Sequence, residues 1–243
     1  MNLISQDSQQ ITAIKPAVKN PQRANIFLNQ KYSFSLDLTQ LVQFKLKVGQ
    51  TLTPTQIATY QQASEFSKLY QRTLEWLLMR PRSIRETRDY LIKKQHRRRA
   101  ANLLSVSHQP ESRRSAKSSI HPIPEITDEL IEQVIQRLID KSYLDDLKFT
   151  NFYLENRFLK KGISQKRLKL ELIKKGIVPS MIEQALAASS RNDSTEIAKI
   201  IIKKRSKYDD TKLLQYLVRQ GFDYETSRNA LRETDSQNSA QNL

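Results

Sequence analysis

Residues 168–176 read Leu-Lys-Leu-Glu-Leu-Ile-Lys-Lys-Gly, and residues 213–221 read Leu-Leu-Gln-Tyr-Leu-Val-Arg-Gln-Gly. The two stretches start 45 positions apart, and the apolar pair at 185–186, Ala-Leu, recurs at the same distance at 230–231. Such a fixed separation is typical of a tandem array of helical units, each of which buries its apolar face partly against its neighbour. We expect the glycine at the end of each stretch, Gly176 and Gly221, at the left-handed position that ends a helix.

An earlier copy of the pattern lies 81 positions before the stretch at 168–176. Ser164 and residues 172–175 correspond to Ser83 and residues 91–94, and both runs read Leu-Ile-Lys-Lys. Residues 83–86, Ser-Ile-Arg-Glu, match the capping box that begins a helix. The sequence therefore predicts a mainly α protein of tandem three-helix repeats. The predicted units are residues 54–144, 145–190 and 191–233.

Residues 11–53, ahead of the repeats, have the pattern of strands. Residues 32–36, Tyr-Ser-Phe-Ser-Leu, alternate polar and apolar side chains as a half-buried strand does. Residues 25–28 precede them across a polar turn, where Asn29 suits a positive-φ position. We predict a small β-rich module at 11–53, with disordered termini at 1–10 and 234–243.

Residues 96–124 interrupt the first predicted unit. They hold six basic residues against one acidic residue, and serine, proline and histidine fill much of the rest. This composition favours a flexible basic insertion. The run Arg97-Arg98-Arg99 is interpreted either as a nucleic-acid-binding arm or as a solubilising loop, and the sequence leaves both open.

The charge of the chain predicts a polyanionic partner. Lysine and arginine number 41 against 25 aspartates and glutamates, a net charge of +16, of which residues 1–95 contribute +8 and residues 125–243 only +3. Nucleic acid, an acidic protein or a membrane surface would each fit such a charge.

The scarce residue types argue against an enzyme. The chain has no cysteine and four glycines, and its three histidines all lie between residues 96 and 121. Thiol chemistry, a thiolate zinc site and a glycine-rich phosphate loop are therefore excluded. We expect no catalytic site, no metal and no cofactor. Because the first ten residues lack a signal-peptide pattern and no apolar run approaches about 20 residues, we expect a cytoplasmic protein that does not act on membranes. We also expect it to be a monomer.

Several motifs together resemble those of one known family. They are Arg80-Pro81-Arg82-Ser83, Tyr143-Leu144-Asp145-Asp146 with Phe149, Gly162-Ile163, and Leu172-Ile173-Lys174-Lys175-Gly176-Ile177. Their order, spacing and threefold repetition resemble the RecX family of regulators of the bacterial recombinase RecA, over about Ser67 to Leu231. The segment 11–53 resembles the β-rich extension of some members. Two features depart from the family pattern: Ser142 stands where a glycine is usual, and the insertion at 96–124 is unusual.

The resemblance implies a non-enzymatic regulator. Members of the family are elongated, curved arrays of helical repeats that lie in the groove of the RecA–single-stranded DNA filament, hinder its growth and damp its activities. The alternative is a stand-alone nucleic-acid-binding protein, acting as a repressor or architectural factor. Helix–turn–helix-like pairs in each unit are compatible with this alternative, although no helix is rich in the Arg, Asn and Gln of a recognition helix.

Basic clusters are the candidate binding residues. They are interpreted either as cations that complement the dipoles at helix C-termini or as a discontinuous positive track along the concave side of the array, meeting phosphates or an acidic groove. Arg157 matches a frequent arginine of the family's second unit, and it is expected either to face the partner or to pair with a nearby carboxylate. The set is Lys93, Lys94, Arg97, Arg98, Arg99, Arg157, Lys160, Lys161, Lys166, Arg167, Lys169, Lys174, Lys175, Lys203, Lys204 and Arg205.

Two acidic doublets, Asp145-Asp146 and Asp209-Asp210, could be metal-binding carboxylates or an acid–base pair. We interpret them instead as helix caps. The aromatic residues at 149, 152, 153 and 158 follow the apolar periodicity. We therefore interpret them as core residues rather than as a platform for stacking bases.

Overall fold

The computed structural model of the chain describes residues 8–18, 20–107 and 124–240. The chain divides into two compact units. The first unit runs to Tyr143 and lacks residues 80–87, which belong to the second unit together with the residues from Leu144 onward.

The first unit begins with a four-stranded antiparallel sheet. Its strands are β1 (Gln9–Ala17), β2 (Asn20–Leu28), β3 (Lys31–Asp37) and β4 (Thr51–Leu52), in the order β3-β2-β1-β4, and helix α1 (Leu38–Gln43) follows β3. Asn29 and Gln30 have φ angles of 48° and 66°. Two successive left-handed residues are what a tight two-residue hairpin turn requires, so the hairpin predicted at Asn29 is confirmed.

Alternation of side chains along the strands places the core on one face of the sheet. Ile11, Ile26, Phe34 and Leu36 are all almost fully buried there. Gln9 and Gln10 pair with β4, so the prediction of a disordered N-terminus is wrong for these residues, because their backbone groups are bonded in the ladder. Residues 1–7 lie outside the described residues.

Helices α2 (Pro54–Leu78), α3 (Ile84–Ser107) and α4 (Asp128–Asp140) follow the sheet. The predicted flexible insertion is wrong for residues 96–107, because α3 continues through them. No proline or glycine occurs between Pro81 and Pro110, and arginine, alanine and leucine are strong helix formers. The rest of the predicted insertion, up to residue 123, lies outside the described residues.

In its described part, up to residue 240, the second unit contains six helices after the first turn of α3. They are α5 (Asp146–Asn156), α6 (Gln165–Lys174), α7 (Pro179–Ala188), α8 (Asp193–Lys204), α9 (Asp210–Arg219) and α10 (Tyr224–Ala240). One apolar core forms within α5–α7 and the segments that join them, and another within α8–α10. The predicted fold class, a mainly α chain of helices grouped in threes behind a small β-rich module, is confirmed. Helix α10 continues through residues 234–240, part of the predicted disordered tail, where the sequence has no proline or glycine to end it. Residues 241–243 lie outside the described residues.

The helix ends repeat in the same way. Gly176 and Gly221 have φ angles of 85° and 90°, and the amide of the next residue bonds back to Leu172 and Leu217. Such bonds satisfy carbonyl groups that a helix leaves unpaired at its end. Ser142 holds the same position after α4 with a φ of 58°, which explains why a glycine suits this site.

Three of the four residues of the acidic doublets act as caps, as predicted; the fourth, Asp210, lies near Arg205 instead. Asp145 and Asp209 each accept backbone amide hydrogen bonds at the start of α5 and α9. Asp146 accepts a bond of 2.9 Å from the amide of Ile84, so it caps the start of α3 instead of its own helix.

Candidate partner-binding surface

The sixteen predicted cations are divided between the two compact units. Five of them lie on α3 within the first unit, and eleven lie in the second. Because α3 runs on to Ser107, Lys93 and Lys94 are in the middle of a helix and do not complement its C-terminal dipole. Lys166 and Arg167 lie in the first turn of α6, where the helix dipole disfavours a positive charge. The dipole interpretation therefore fails for these four residues.

On α3, the three arginines of the predicted arm differ in their surroundings. Arg97 and Arg99 are exposed, whereas Arg98 forms an ion pair of 2.5 Å with Glu65 on α2 and donates a hydrogen bond to the carbonyl of Pro124. Burial raises the pKa of Glu65, but hydrogen bonds from Lys68 and Arg98 outweigh it and hold that pKa below its ordinary value. Arg98 is thus a structural residue of the first unit. Lys93 is exposed, and Lys94 lies over the ring of Tyr90.

Arg157, at the end of α5, pairs with a carboxylate, one of its two expected roles. It contacts Glu171 on α6 at 2.7 Å, and its guanidinium lies 3.8 Å from the ring centre of Phe158. Tyr153 donates a hydrogen bond of 2.5 Å to the same carboxylate. Burial and this bond raise the pKa of the Tyr153 hydroxyl, so it stays protonated. The cluster fixes the end of α5 against α6.

Lys175 is also held inside the second unit. Its ammonium contacts Glu86, in the first turn of α3, at 2.8 Å and lies over the rings of Phe149 and Tyr153. Burial raises the pKa of Glu86, but the hydrogen bonds from Lys175 and Arg80 hold it below its ordinary value. Lys175 thereby joins the end of α6 to the start of α3.

A groove of about 300 Å³ lies between the loop after α5 and helices α6, α8 and α9. Its walls combine rings and aliphatic side chains with cations, which makes it amphipathic. The residues that line it are Phe158, Lys161, Gly162, Ile163, Arg167, Ile200, Tyr216 and Gln220. Arg167 bonds both Glu171 and Gln220 at its rim.

The end of α8 adds the remaining cations beside this groove. Lys203 donates a hydrogen bond to the carbonyl of Lys160, which ties α8 to the loop after α5. Lys204 lies 4.3 Å from the ring centre of Tyr216 and 5.2 Å from that of Tyr208. Arg205 lies 3.7 Å from Asp210.

The structure thus collects part of the predicted set into one cluster, which we call the groove cluster: Lys160, Lys161, Arg167, Lys203 and Lys204 with Phe158 and Tyr216. Lys166 and Lys174 are exposed on α6, and Lys169 is within 3.8 Å of Glu183. Phe149 is buried, Tyr153 and Phe158 are partly buried and pack against the same core, and Phe152 is exposed. The core interpretation of the aromatic residues therefore holds for all of them except Phe152.

The sequence did not identify Tyr216 as part of the site. This residue stands 45 positions after Glu171, so an aromatic ring in the third unit replaces the acid of the second. This difference between equivalent positions of the repeat is the sequence feature that could have indicated Tyr216 as a site residue.

The described residues offer no metal centre: within 8–18, 20–107 and 124–240, no three His, Asp or Glu side chains are placed to hold an ion. Across the same part of the chain, no helix combines the length and the apolar character needed to cross a bilayer.

Comparison with known proteins identifies the family. The sequence pattern of the regulatory protein RecX N-terminal domain matches residues 9–53. The chain is 31% identical over 236 residues to regulatory protein RecX of Bacillus licheniformis, covering 94% of this chain and 78% of the relative, and the RecX of Bacillus subtilis strain 168 gives the same figures. The fold is similar to a crystal structure of regulatory protein RecX, with a TM-score of 0.61 at 23% identity, covering 90% of this chain and 97% of the other. The chain belongs to the RecX family of regulatory proteins.

Proposed function

We propose that this protein binds the filament that RecA forms on single-stranded DNA and limits its growth or activity. Membership of the RecX family gives the regulatory role, and the groove cluster supports a contact with an anionic partner. The protein acts in the cytoplasm as a monomer and obstructs its partner without a reaction of its own.

The groove cluster is the observation that carries this proposal. It places cations beside ring faces and aliphatic walls, so an acidic and partly apolar protein surface can gain both charge attraction and apolar burial. The three-helix units 145–190 and 191–233 carry the contact. Several such contacts along one filament would add through effective concentration.

The test is the single-stranded-DNA-dependent ATPase of the cognate RecA, titrated with this protein at two salt concentrations. We expect inhibition that weakens at the higher salt, because exposed charges are screened. The variant Lys160→Glu/Lys161→Glu should raise the half-inhibitory concentration by about tenfold or more, because a like-charge contact costs several kcal/mol at an interface.

The matched control is Lys47→Glu/Lys141→Glu, which makes the same change of charge at two exposed lysines outside the groove cluster. It should shift the half-inhibitory concentration by less than about twofold. Equal effects of the two double variants would show that net charge, and not the groove, governs inhibition. No inhibition by the wild-type protein, with tight sequence-dependent DNA binding in the absence of RecA, would support a stand-alone DNA-binding protein instead.

A further inference from the structure

The first unit has a cationic cavity whose lining residues, between 9 and 124, include none of the groove cluster. The proposed contact with the recombinase does not use this cavity. It has a volume of about 840 Å³ and lies among the β2–β3 hairpin, α2, Arg98 of α3 and Pro124. Its size is within the range of cavities that hold small ligands.

The charges that line this cavity are unbalanced. Among the described residues that line it, four cations, Lys31, Lys68, Arg72 and Arg98, face one carboxylate, Glu65. Glu65 is already paired with two of them, at 2.9 Å from Lys68 and 2.5 Å from Arg98, and its pKa lies below its ordinary value despite burial. Its negative charge is therefore satisfied within the protein.

Lys31 and Arg72 remain available to a ligand. Both side chains are exposed at the cavity, and among the described residues no carboxylate forms an ion pair with either. The guanidinium of Arg23 lies close by and is held within the protein: it donates to Ser35 and Ser67, and burial lowers its pKa although the charge of Asp37 acts in the opposite direction. The cavity therefore attracts an anion with at least two vacant donors.

A ring at the edge of the cavity indicates which anion fits. Tyr32 lines the cavity and is partly exposed, and its ring packs edge-on against Phe27, which fixes its orientation. A fixed ring beside cations is the arrangement that holds a base by stacking and its phosphate by charge. An acidic peptide would use the cations and leave the ring without a partner.

We propose that this cavity binds a nucleotide through its phosphate, either as a unit of single-stranded DNA or as a free nucleotide. This inference deepens the proposed function, since a strand held here would add a DNA contact to the contact with the recombinase. Nucleotide binding at this cavity can be measured without RecA, so each of the two proposals can be refuted without refuting the other.

The experiment measures binding of a fluorescent twelve-residue oligothymidylate to the full chain by polarisation, without RecA, at several salt concentrations. Thymidine monophosphate and an eight-residue polyglutamate peptide are added as competitors. The test variant is Lys31→Ala/Arg72→Ala. The control is Lys47→Ala/Arg219→Ala, which removes one exposed lysine and one exposed arginine elsewhere. Circular dichroism confirms that both variants are folded.

We expect the test variant to bind the oligonucleotide about tenfold more weakly or worse, because a hydrogen bond to a charged group is worth at least about that factor. The slope of log affinity against log salt should become shallower by about 0.7, the value for one phosphate contact on a single strand. The control should change affinity by less than about twofold. If the monophosphate displaces the probe at a concentration similar to that of unlabelled oligothymidylate, the ligand is a free nucleotide. If it does not, the ligand is single-stranded DNA.

Equal binding by the test variant and the wild type would overturn the proposal. So would stronger competition by polyglutamate than by unlabelled oligothymidylate, which would assign the cavity to an acidic protein segment. RecA inhibition that persists in the test variant leaves the groove proposal intact, whereas normal oligonucleotide binding without RecA inhibition counts against that proposal alone.

Discussion

The hydroxyl of Ser164 donates a hydrogen bond of 2.7 Å to the carbonyl oxygen of Gln220. Ser164 is the N-cap of α6 and accepts a bond of 3.2 Å from the amide of Arg167, while Gln220 is the C-cap of α9. One buried hydroxyl therefore satisfies a polar group at two helix ends. Ser83 makes the same bond of 2.7 Å to the carbonyl of Lys175, so the contact recurs along the repeat.

The substitution Ser164→Ala tests the role of this hydroxyl. Ser164→Ala should lower the free energy of unfolding by about 2 kcal/mol, because it deletes a helix cap and leaves the carbonyl of Gln220 without a partner. Urea denaturation followed by circular dichroism measures the change. Ser180→Ala, at an exposed position in α7, is the control and should shift stability by less than about 0.5 kcal/mol. Equal losses in the two variants would contradict a special role for this bond.

The second prediction concerns Gly176, which combines a left-handed backbone with a close neighbour. A Cβ at this position would lie 2.7 Å from the Cβ and the Cδ of Arg85, and the φ angle is 85°. Gly49 has a φ of 90°, and a Cβ added there would lie more than 4 Å from every described atom outside its chain neighbours, so Gly49→Ala measures the backbone cost alone. Gly49→Ala should cost about 1–2 kcal/mol, and Gly176→Ala should cost more, because the Arg85 side chain must shift as well. Thermal denaturation of both variants gives the comparison, and equal melting temperatures would show that Arg85 adapts freely.

The third prediction is a gain of stability. Ser142 adopts a φ of 58°, a conformation that costs a non-glycine residue about 1 kcal/mol, so Ser142→Gly should raise the free energy of unfolding by about that amount. Ser180→Gly should have the opposite effect, since it places glycine within α7. Urea midpoints measure both. A loss of stability in Ser142→Gly would mean that the greater freedom of the unfolded glycine outweighs the relief of strain.

Local patterns were sufficient to predict most of the fold. The caps at Ser83 and Ser164, the glycines at 176 and 221, and the period of the leucines depend on residues only a few positions apart, and all appear in the structure. The extension of α3 was missed because its charge favoured disorder, while its arginines and alanines favoured a helix. The helix propensity of these residues therefore prevails over their charge as far as Ser107, where α3 ends.

The candidate site was less predictable, because its contacts join distant residues. Glu65 and Arg98 are 33 positions apart, and Lys160 and Lys203 are 43 apart. Composition can indicate that a chain is basic, but it cannot show which cations are already paired with carboxylates. The structure assigns Arg98, Arg157 and Lys175 to internal contacts, whereas Lys160 and Lys161 remain exposed.

The fourth prediction follows from a buried ion cluster in the second unit. The carboxylate of Glu196 is 1% exposed, contacts Arg191 at 2.9 Å and Lys199 at 2.7 Å, and accepts a bond from the amide of Ile163. Burial raises the pKa of Glu196, but hydrogen bonds from Arg191 and Lys199 outweigh it and lower that pKa from its ordinary value of 4.5. Its contribution to stability is therefore complete above about pH 4.5 and is lost as the pH falls through the lowered value.

Glu196→Gln should accordingly cost about 3–5 kcal/mol at pH 7, because Arg191 is left buried without a counter-charge. Between pH 5 and 3 the variant should lose less stability than the wild type, since it lacks the group that becomes protonated. Urea titrations at pH 7, 5, 4 and 3 measure both effects. Parallel curves for the two proteins would show that another carboxylate causes the acid sensitivity.

Asp193, the first residue of α8, should change stability with pH in the direction opposite to Glu196. Its carboxylate accepts a bond of 2.8 Å from the amide of Gln165, and burial together with the charges of Glu196 and Asp223 raises its pKa above 3.8, despite that bond. The folded chain therefore loses stability at this residue as the pH rises through the raised value.

Asp193→Asn keeps an oxygen that can accept the bond from Gln165 and removes the charge. It should raise the urea midpoint at pH 7 and leave it unchanged at pH 3, where the wild-type carboxyl group is already protonated. Asp210→Asn is the control, because Asp210 is also the first residue of a helix but is exposed, and there the loss of a negative charge should lower stability slightly. If Asp193→Asn were also destabilising at pH 7, the attraction of the carboxylate to the N-terminus of α8 would outweigh the cost of its burial.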